Sequence, residues 1–248
     1  FGGFSIIIIY KAMYEDKKIA VKIYCSKKKK INKAIKNEIH FYNSIDYQND
    51  KFSDSICLCF GSLEEKYKGY NYSYLFLEKM KIDLYDYLKN DKQDSLNLMN
   101  SYDNIIKSLK SIYNGLQFVH NKNYVYNDLK LENIMISYNN KIKLIDFNCV
   151  FPIELTYSKN IILKKYFVGT VDFLAPELFV VLKKNDFQNN IFYNYNQIDF
   201  KSDIWSYGIV LYEFLLKKNF PYVTNRKSRT IQNIKQNILN DTEYYNEF

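Results

Sequence analysis

Apolar positions are spaced in two different ways along the chain, and the change falls near residue 80. Before it, the pattern is that of strands with one interrupting helix. Phe4 to Ala12 and Ile19 to Tyr24 are β-branched or aromatic runs separated by the polar Glu15 to Lys18, which predicts a hairpin. Ile31 to Ile45 has helical spacing, with Ile35, Ile39 and Tyr42 on one stripe. Ile56 to Phe60 and Tyr72 to Leu77 return to strand character, and alternation in the first of these puts Cys57 and Cys59 on one strand face. Beyond residue 80 long helices take over. Ile105, Leu109, Ile112, Leu116 and Val119 recur at alternating steps of four and three, as a buried helix stripe does. Ile204 to Leu216 predicts a second, more apolar helix in the core.

A small antiparallel sheet followed by a larger helical part is an α+β, two-lobe plan. The expected division is an N-terminal lobe over residues 1–80 and a C-terminal lobe over 81–248, with the boundary near Glu78 to Asp83. Gly and Pro number only 7 and 3, so each one carries weight as punctuation. Asn185 to Gln197 is Asn-rich and lacks periodicity, which reads as an inserted surface loop.

Composition changes this picture little. Hydrophobic residues make up 47% of the 248, enough for a sizeable core. The formal charge of +8 raises the question of an anionic partner. The lysines are spread out, however, and the one block, Lys27 to Lys30, reads as a solvated loop before a helix. Neither a nucleic-acid partner nor a membrane span is expected, since no apolar stretch reaches the roughly 18 residues a span requires. Cys25, Cys57, Cys59 and Cys149 show no metal or disulfide spacing, and His40 and His120 are too scattered for a metal cluster. Reduced thiols fit an intracellular, cytoplasmic location.

The chemistry is concentrated in short runs. Tyr126-Asn127-Asp128-Leu129-Lys130-Leu131-Glu132-Asn133 sets a carboxylate, a lysine two residues on and an amide five residues on. Those groups suit a loop that holds a base, a phosphate-binding cation and a metal-binding oxygen together. The run resembles the catalytic loop of protein kinases, H-R-D-L-K-x-x-N. Thirteen residues after Asn133, Asp146-Phe147-Asn148 resembles the metal-binding D-F-G, at the end of the alternating strand Lys141 to Ile145. Gly169-Thr170 and Ala175-Pro176-Glu177 resemble the end of an activation segment, and Asp203-Ile204-Trp205-Ser206-Tyr207-Gly208 the D-x-W-S-x-G of the family. Upstream, Ile19-Ala20-Val21-Lys22 is similar to V-A-I-K, Glu38 lies on the following helix, and Gly2-Gly3-Phe4-Ser5 resembles the end of a Gly-rich phosphate loop. The ordered motifs run through nearly the whole chain, and the sequence is identified as a member of the eukaryotic-type, serine/threonine-like protein kinases.

That resemblance implies a two-lobe kinase-like fold, ATP with Mg2+ as cofactors, and protein substrates with Ser or Thr acceptors. It implies that Asp128 orients the substrate hydroxyl, that Lys130 neutralises charge on the γ-phosphate, and that Asn133 and Asp146 hold the metal ions. Lys22 would contact the α/β-phosphates and be held by Glu38. Gly2, Gly3 and Ser5 would cover the phosphates, and Ile7, Ala20 and Met135 would enclose the adenine. Leu77 would be the gatekeeper, with Glu78 and Met80 offering backbone hydrogen bonds. Asp203 is either a helix N-cap or a group bonding the catalytic-loop backbone. Asp83 and Glu132 are either arginine-recognising acids or solvated ones. A pseudokinase, binding nucleotide without turnover, is the alternative function.

Departures from the family pattern carry their own expectations. Tyr126 and Asn127 replace the histidine and arginine of H-R-D, so Tyr126 is expected to fill an apolar spine, and Asn127 cannot pair with a phosphorylated loop. Asn148 replaces a glycine at which positive φ is expected. The first phosphate-loop glycine would precede Phe1 and the family's last helices would follow Phe248, so the sequence reads as a fragment at both ends.

Overall fold

A computed structural model describes residues 10–14, 17–26, 33–89, 98–155, 169–175, 178 and 198–220. The chain divides into two compact units, one of Phe1–Tyr126 with Leu131–Phe151 and one of Asn127–Lys130 with Pro152–Phe248. The division expected between residues 80 and 81 falls inside the first of these.

The first unit contains a four-stranded antiparallel sheet in the order β1-β2-β4-β3. Strands β1 (Tyr10–Tyr14) and β2 (Lys17–Ser26) form the expected hairpin, in register from Tyr10↔Val21 to Tyr14↔Lys17. β1 therefore runs past Ala12, and β2 starts inside the run expected to separate the strands. Helix α1 (Lys33–Asn43) follows, burying Ile35, Glu38, Phe41 and Tyr42 along one stripe, with Ile39 half-buried. β3 (Cys59–Tyr67) and β4 (Tyr70–Glu78) are joined at Lys68 and Gly69, both with positive φ, 48° and 80°. Two positive φ values in a two-residue turn match the twist of the flanking strands.

The run Ile56 to Phe60 is not a single strand. Ile56 bridges to Leu144 and Cys57 N donates to the Leu144 carbonyl at 2.9 Å, so only Cys59 and Phe60 join the sheet. The two thiols accordingly do not share a strand face: Cys57 is buried off the sheet and Cys59 is half-buried in β3.

The same unit holds a second sheet, of β5 (Met80–Asp83), β7 (Ile134–Ser137) and β8 (Ile142–Leu144), in the order β5-β7-β8. Asp83 starts helix α2 (Leu84–Lys89), accepting from Asp86 N at 2.8 Å. Helix α3 (Tyr102–Asn121) is capped by Ser101, which accepts from Asn104 N at 3.2 Å. Its predicted stripe is buried at Ile112, Leu116 and Val119 and half-buried at Ile105 and Leu109. At Gly115 the helix comes so close to β8 that a Cβ would stand 2.8 Å from Leu144 Cγ. The short strand β6 (Tyr124–Val125), fully buried, leads on to Tyr126.

The second unit contains helix α4 (Phe200–Leu216), which starts before the expected Ile204 because Asp199 caps it, accepting from Lys201 N at 2.6 Å. It is less of a core helix than its composition suggests. Ile204, Leu215 and Leu216 are exposed, while Ser202, Asp203, Ser206 and Glu213 are buried with Ile209, Val210 and Phe214. The buried polar groups have partners: Ser206 Oγ donates to the Phe173 carbonyl at 2.7 Å, and Glu213 accepts from Phe220 N at 3.2 Å. Among the described residues, no helix is long and apolar enough to cross a membrane.

Candidate active site

In the first unit, three elements converge on a buried carboxylate. Glu38 on α1 is fully buried. Lys22, on β2, donates to its two oxygens at 2.8 and 2.9 Å, and donates a third bond to Asp146 Oδ1 at 2.8 Å. Tyr24 lies two residues beyond Lys22 and thus on the same strand face. Its hydroxyl also donates to Glu38. Phe147 N supplies a further bond, at 3.2 Å. Burial acts against the Lys22 ammonium, but the Glu38 and Asp146 charges outweigh it and hold the lysine above its usual range. A buried charge survives only when it is paired and bonded in this way.

Asp146 and Phe147 are fixed by what surrounds them. Phe147 is fully buried, stacked on Phe41 at 4.5 Å and met edge-on by Tyr42 at 5.2 Å and Tyr126 at 5.5 Å. Burying a ring of this size contributes about 1.5–3 kcal/mol. Tyr126 is fully buried too, against Phe147, and its hydroxyl donates to the Ile145 carbonyl. The positive φ, however, is at Asp146 (57°) and not at Asn148, which sits in a 3-10 turn over Phe147–Cys149. Asn148 thus meets no left-handed requirement. Its side-chain oxygen is buried without a hydrogen-bond partner among the described residues.

Asn133 ends the 3-10 turn Leu131–Asn133 and is buried. Its carbonyl accepts from Ile145 N at 3.0 Å, tying it to the residue before Asp146.

The second unit carries its own cluster. Thr170 Oγ1 donates to Asp128 Oδ1 at 2.7 Å and accepts from Lys130 Nζ at 2.8 Å. Lys130 Nζ also lies 3.2 Å from Asp128 Oδ2, which closes a triangle of the three side chains. Asp203 is buried and accepts from Asn127 N at 2.8 Å, so it bonds the loop backbone and is not the α4 cap. Asn127 itself takes a left-handed φ of 65°, which asparagine tolerates better than arginine would. Gly169, with φ 92°, passes so close that a Cβ would fall 2.1 Å from the Asn127 carbonyl oxygen.

The sequence profile of the family described as the protein kinase domain matches residues 1–247. The chain belongs to this family. The kinase domain is 29% identical over 231 residues to a protein of Acanthamoeba polyphaga mimivirus assigned to the serine/threonine-protein kinases, covering 90% of this chain and 72% of that one. It is 26% identical over 179 residues to an Aurora kinase of Yarrowia lipolytica, covering 72% of this chain and 40% of the relative. A third relative, a protein kinase C delta type of Rattus norvegicus, is 32% identical over 131 residues, which is 53% of this chain and 16% of that protein. The chain thus spans 40% and 16% of the length of the latter two.

The structure places the remaining expected residues of the kinase domain as follows. Ala20 on β2 pairs with Leu77 on β4, and both are half-buried. Glu78 ends β4; its N–H is bonded to the Leu58 carbonyl at 2.8 Å and its carbonyl accepts from Cys57 Sγ at 3.7 Å. Met80 opens β5 opposite Ser137, and Met135 lies on β7 opposite Asp83 and Lys143. Gly2, Gly3, Ser5, Ile7, Pro176, Glu177 and the Asn185 to Gln197 stretch lie outside the described residues. Burial holds the Asp83 carboxyl above its ordinary value, with the Asp86 and Glu132 charges adding to it against the Asp86 N bond.

Two partnerships escaped the sequence reading. Thr170 was visible only as part of a motif, with no hint of its bonds to Asp128 and Lys130. The ion pair of Lys143 and Glu78, at 2.6 Å and largely buried, left no signal, because Lys143 looked like the polar phase of an alternating strand.

Proposed function

We propose that this domain transfers the γ-phosphate of ATP to Ser or Thr hydroxyls of protein substrates. The observation that carries the reading is the network in which buried Lys22 is paired with buried Glu38 and with half-buried Asp146. A module that only binds or scaffolds has no need to hold a lysine charged between two carboxylates at the cost of burying it with Glu38.

ATP with Mg2+ fits the donor set. Asp146 and Asn133 offer hard oxygens, and Mg2+ takes few protein ligands, completing its shell with phosphate and water. The bound nucleotide supplies the phosphoryl group, and its metal ions neutralise the phosphate charge. Lys22 would exchange its bond to Asp146 for the α/β-phosphates, freeing the Asp146 carboxylate for metal while Glu38 keeps the ammonium oriented. Asp128 would accept from the substrate hydroxyl and align it for in-line attack. Lys130 would balance charge on the γ-phosphate, and a lysine at this place in the catalytic-loop motif supports the serine/threonine assignment. Catalysis here is positioning and charge neutralisation. The four cysteines, all free, support a reducing intracellular location.

The test is phosphate transfer from Mg2+-ATP to a protein substrate, followed by Asp128→Asn. That variant should lose about a hundredfold or more in transfer while its nucleotide Kd changes little, since the base is lost and the nucleotide pocket is not. Nucleotide binding without transfer in the unaltered chain would point to a pseudokinase instead.

A further inference from the structure

Glu38 receives hydrogen bonds from more donors than the Lys22 pair requires. Tyr24, 3% exposed, donates its hydroxyl to Glu38 Oε2, while Lys22 bonds both oxygens and Phe147 N bonds Oε1. Lys22 divides its donors between Glu38 and Asp146, and its ammonium lies 5.2 Å from the centre of the Tyr24 ring. The neutral phenol gives its one proton to Glu38, while its oxygen faces the Lys22 ammonium. Burial, reinforced by the Glu38 charge against the opposing Lys22 charge, pushes its ionisation well above the ordinary tyrosine range, so the phenol is a proton donor at neutral pH.

We propose that Tyr24 is a positioning residue that latches Glu38, and with it helix α1, to strand β2 independently of Lys22. Hydrogen bonds to an ionised group out of water are the strong ones. When a nucleotide draws Lys22 towards its phosphates, the ammonium must share its donors, and the Glu38 carboxylate would lose part of its anchorage. The Tyr24 proton is donated to Glu38 whatever the ammonium does with its own donors, so this bond remains when Lys22 turns to the phosphates. The helix is therefore held by two side chains of one strand face, and only one of them has work to do on the nucleotide.

The test uses the full chain with Tyr24→Phe, which keeps the ring and removes only the hydroxyl. The first readout is hydrogen exchange of the α1 amides around Glu38 without nucleotide, expected to quicken roughly tenfold on loss of a bond to a charged acceptor. This arm requires no enzymatic activity. The second is Mg2+-ATP turnover, which rests on the kinase reading and should fall roughly five- to twentyfold as the Lys22–Glu38 geometry loosens. The Kd of the methylanthraniloyl derivative of ATP should change less than about threefold, because the hydroxyl does not touch the nucleotide. In a Glu38→Ala background, Tyr24→Phe should add less than about twofold to either loss, since the acceptor is gone. Should that background not fold, Glu38→Gln serves, whose neutral amide accepts more weakly and must still show the smaller loss.

Unchanged α1 exchange in Tyr24→Phe would overturn the latch. Equal losses with and without Glu38 would overturn it too, and would assign Tyr24 to packing alone. If the unaltered chain shows no turnover, the functional reading falls, and the exchange measurement still decides the role of Tyr24.

Discussion

The Asp203 carboxylate lies 2.8 Å from the backbone nitrogen of Asn127, although 76 residues separate the two in the chain. Both are buried, and Asn127 holds a left-handed φ of 65° immediately before Asp128. The bond therefore fixes the backbone at the residue that precedes the proposed base. Asp203→Ala would leave a buried N–H without its acceptor, at a cost of about 1–3 kcal/mol. Urea denaturation should register that loss, and transfer activity should fall along with it. A variant as stable and as active as the parent would remove Asp203 from this role.

Gly169 approaches the same residue from another side. At φ 92° and 2.1 Å from the Asn127 carbonyl oxygen to a notional Cβ, it has neither the conformation nor the space for a side chain. Gly169→Ala must displace the backbone on one side or the other. Transfer activity should drop at least about tenfold, because an error of about 1 Å in positioning is expensive in rate. Gly208→Ala is the control, since nothing lies within 4 Å of a Cβ there and its exposed helical position favours alanine.

Lys22→Met and Glu38→Gln test the buried network by comparison. Lys22→Met removes the charge proposed to meet the phosphates and also strips Glu38 and Asp146 of their common cation. Turnover should fall by about a hundredfold or more. Glu38→Gln orients the lysine less well without touching ATP, so its loss should be smaller. Its other donors, Tyr24 and Phe147 N, can still bond an amide oxygen. Equal losses would mean that Glu38 mainly holds helix α1.

The same network gives a pH dependence with a definite sign. Lys22 and Tyr24 both ionise above their ordinary values in the folded chain. Each therefore binds its proton more tightly folded than unfolded. Their contribution is complete below the unfolded values of about 10–10.4 and is lost as pH rises above them. Denaturant midpoints should thus decline above about pH 10, and the decline should be shallower in Tyr24→Phe than in the parent. An equally steep alkaline loss in the variant would exclude Tyr24 as a contributor.

Much of this architecture was legible because it is written in periodicity and in motif order. The stripe from Ile105 to Val119 became α3, and the alternation around Lys141 to Ile145 became β8 leading into Asp146. Legibility failed where environment, not pattern, decides the outcome. Residues 63–67 continue β3 with both faces exposed, so no alternation marks them. Ile56 to Leu58 is apolar because it packs beside Leu144, not because it belongs to the sheet. Asn148 looked like a glycine substitute, but the chain takes its left-handed step two residues earlier, at Asp146. Buried partnerships such as Tyr24 with Glu38 are invisible in sequence, because either residue is ordinary in its own element.

The last prediction concerns control. In the family pattern an arginine stands before the catalytic aspartate and pairs with a phosphorylated activation loop; here the position is Asn127, whose carboxamide carries no charge. A phosphate added at Thr156, Tyr157 or Ser158, which lie outside the described residues, would find no such cation at 127. The backbone there is already held by Asp203 and by the close passage of Gly169, and α1 is held through Glu38 within its own unit. Neither arrangement requires a phosphate. Turnover is therefore expected to stay within about threefold when the full chain is treated with phosphatase, or when Thr156, Tyr157 and Ser158 are replaced by alanine, because no charge-assisted contact is lost at Asn127. Lys159, Lys164 and Lys165 are the nearby cations in sequence that could serve instead. A large fall in both experiments would show that such a basic pocket exists, and replacing those lysines one at a time would locate it. If activity holds in both, introducing Asn127→Arg should not create phosphate dependence without also straining a left-handed backbone position. Its stability should then fall by about 1–2 kcal/mol, measurable by denaturation, whether or not the loop is phosphorylated.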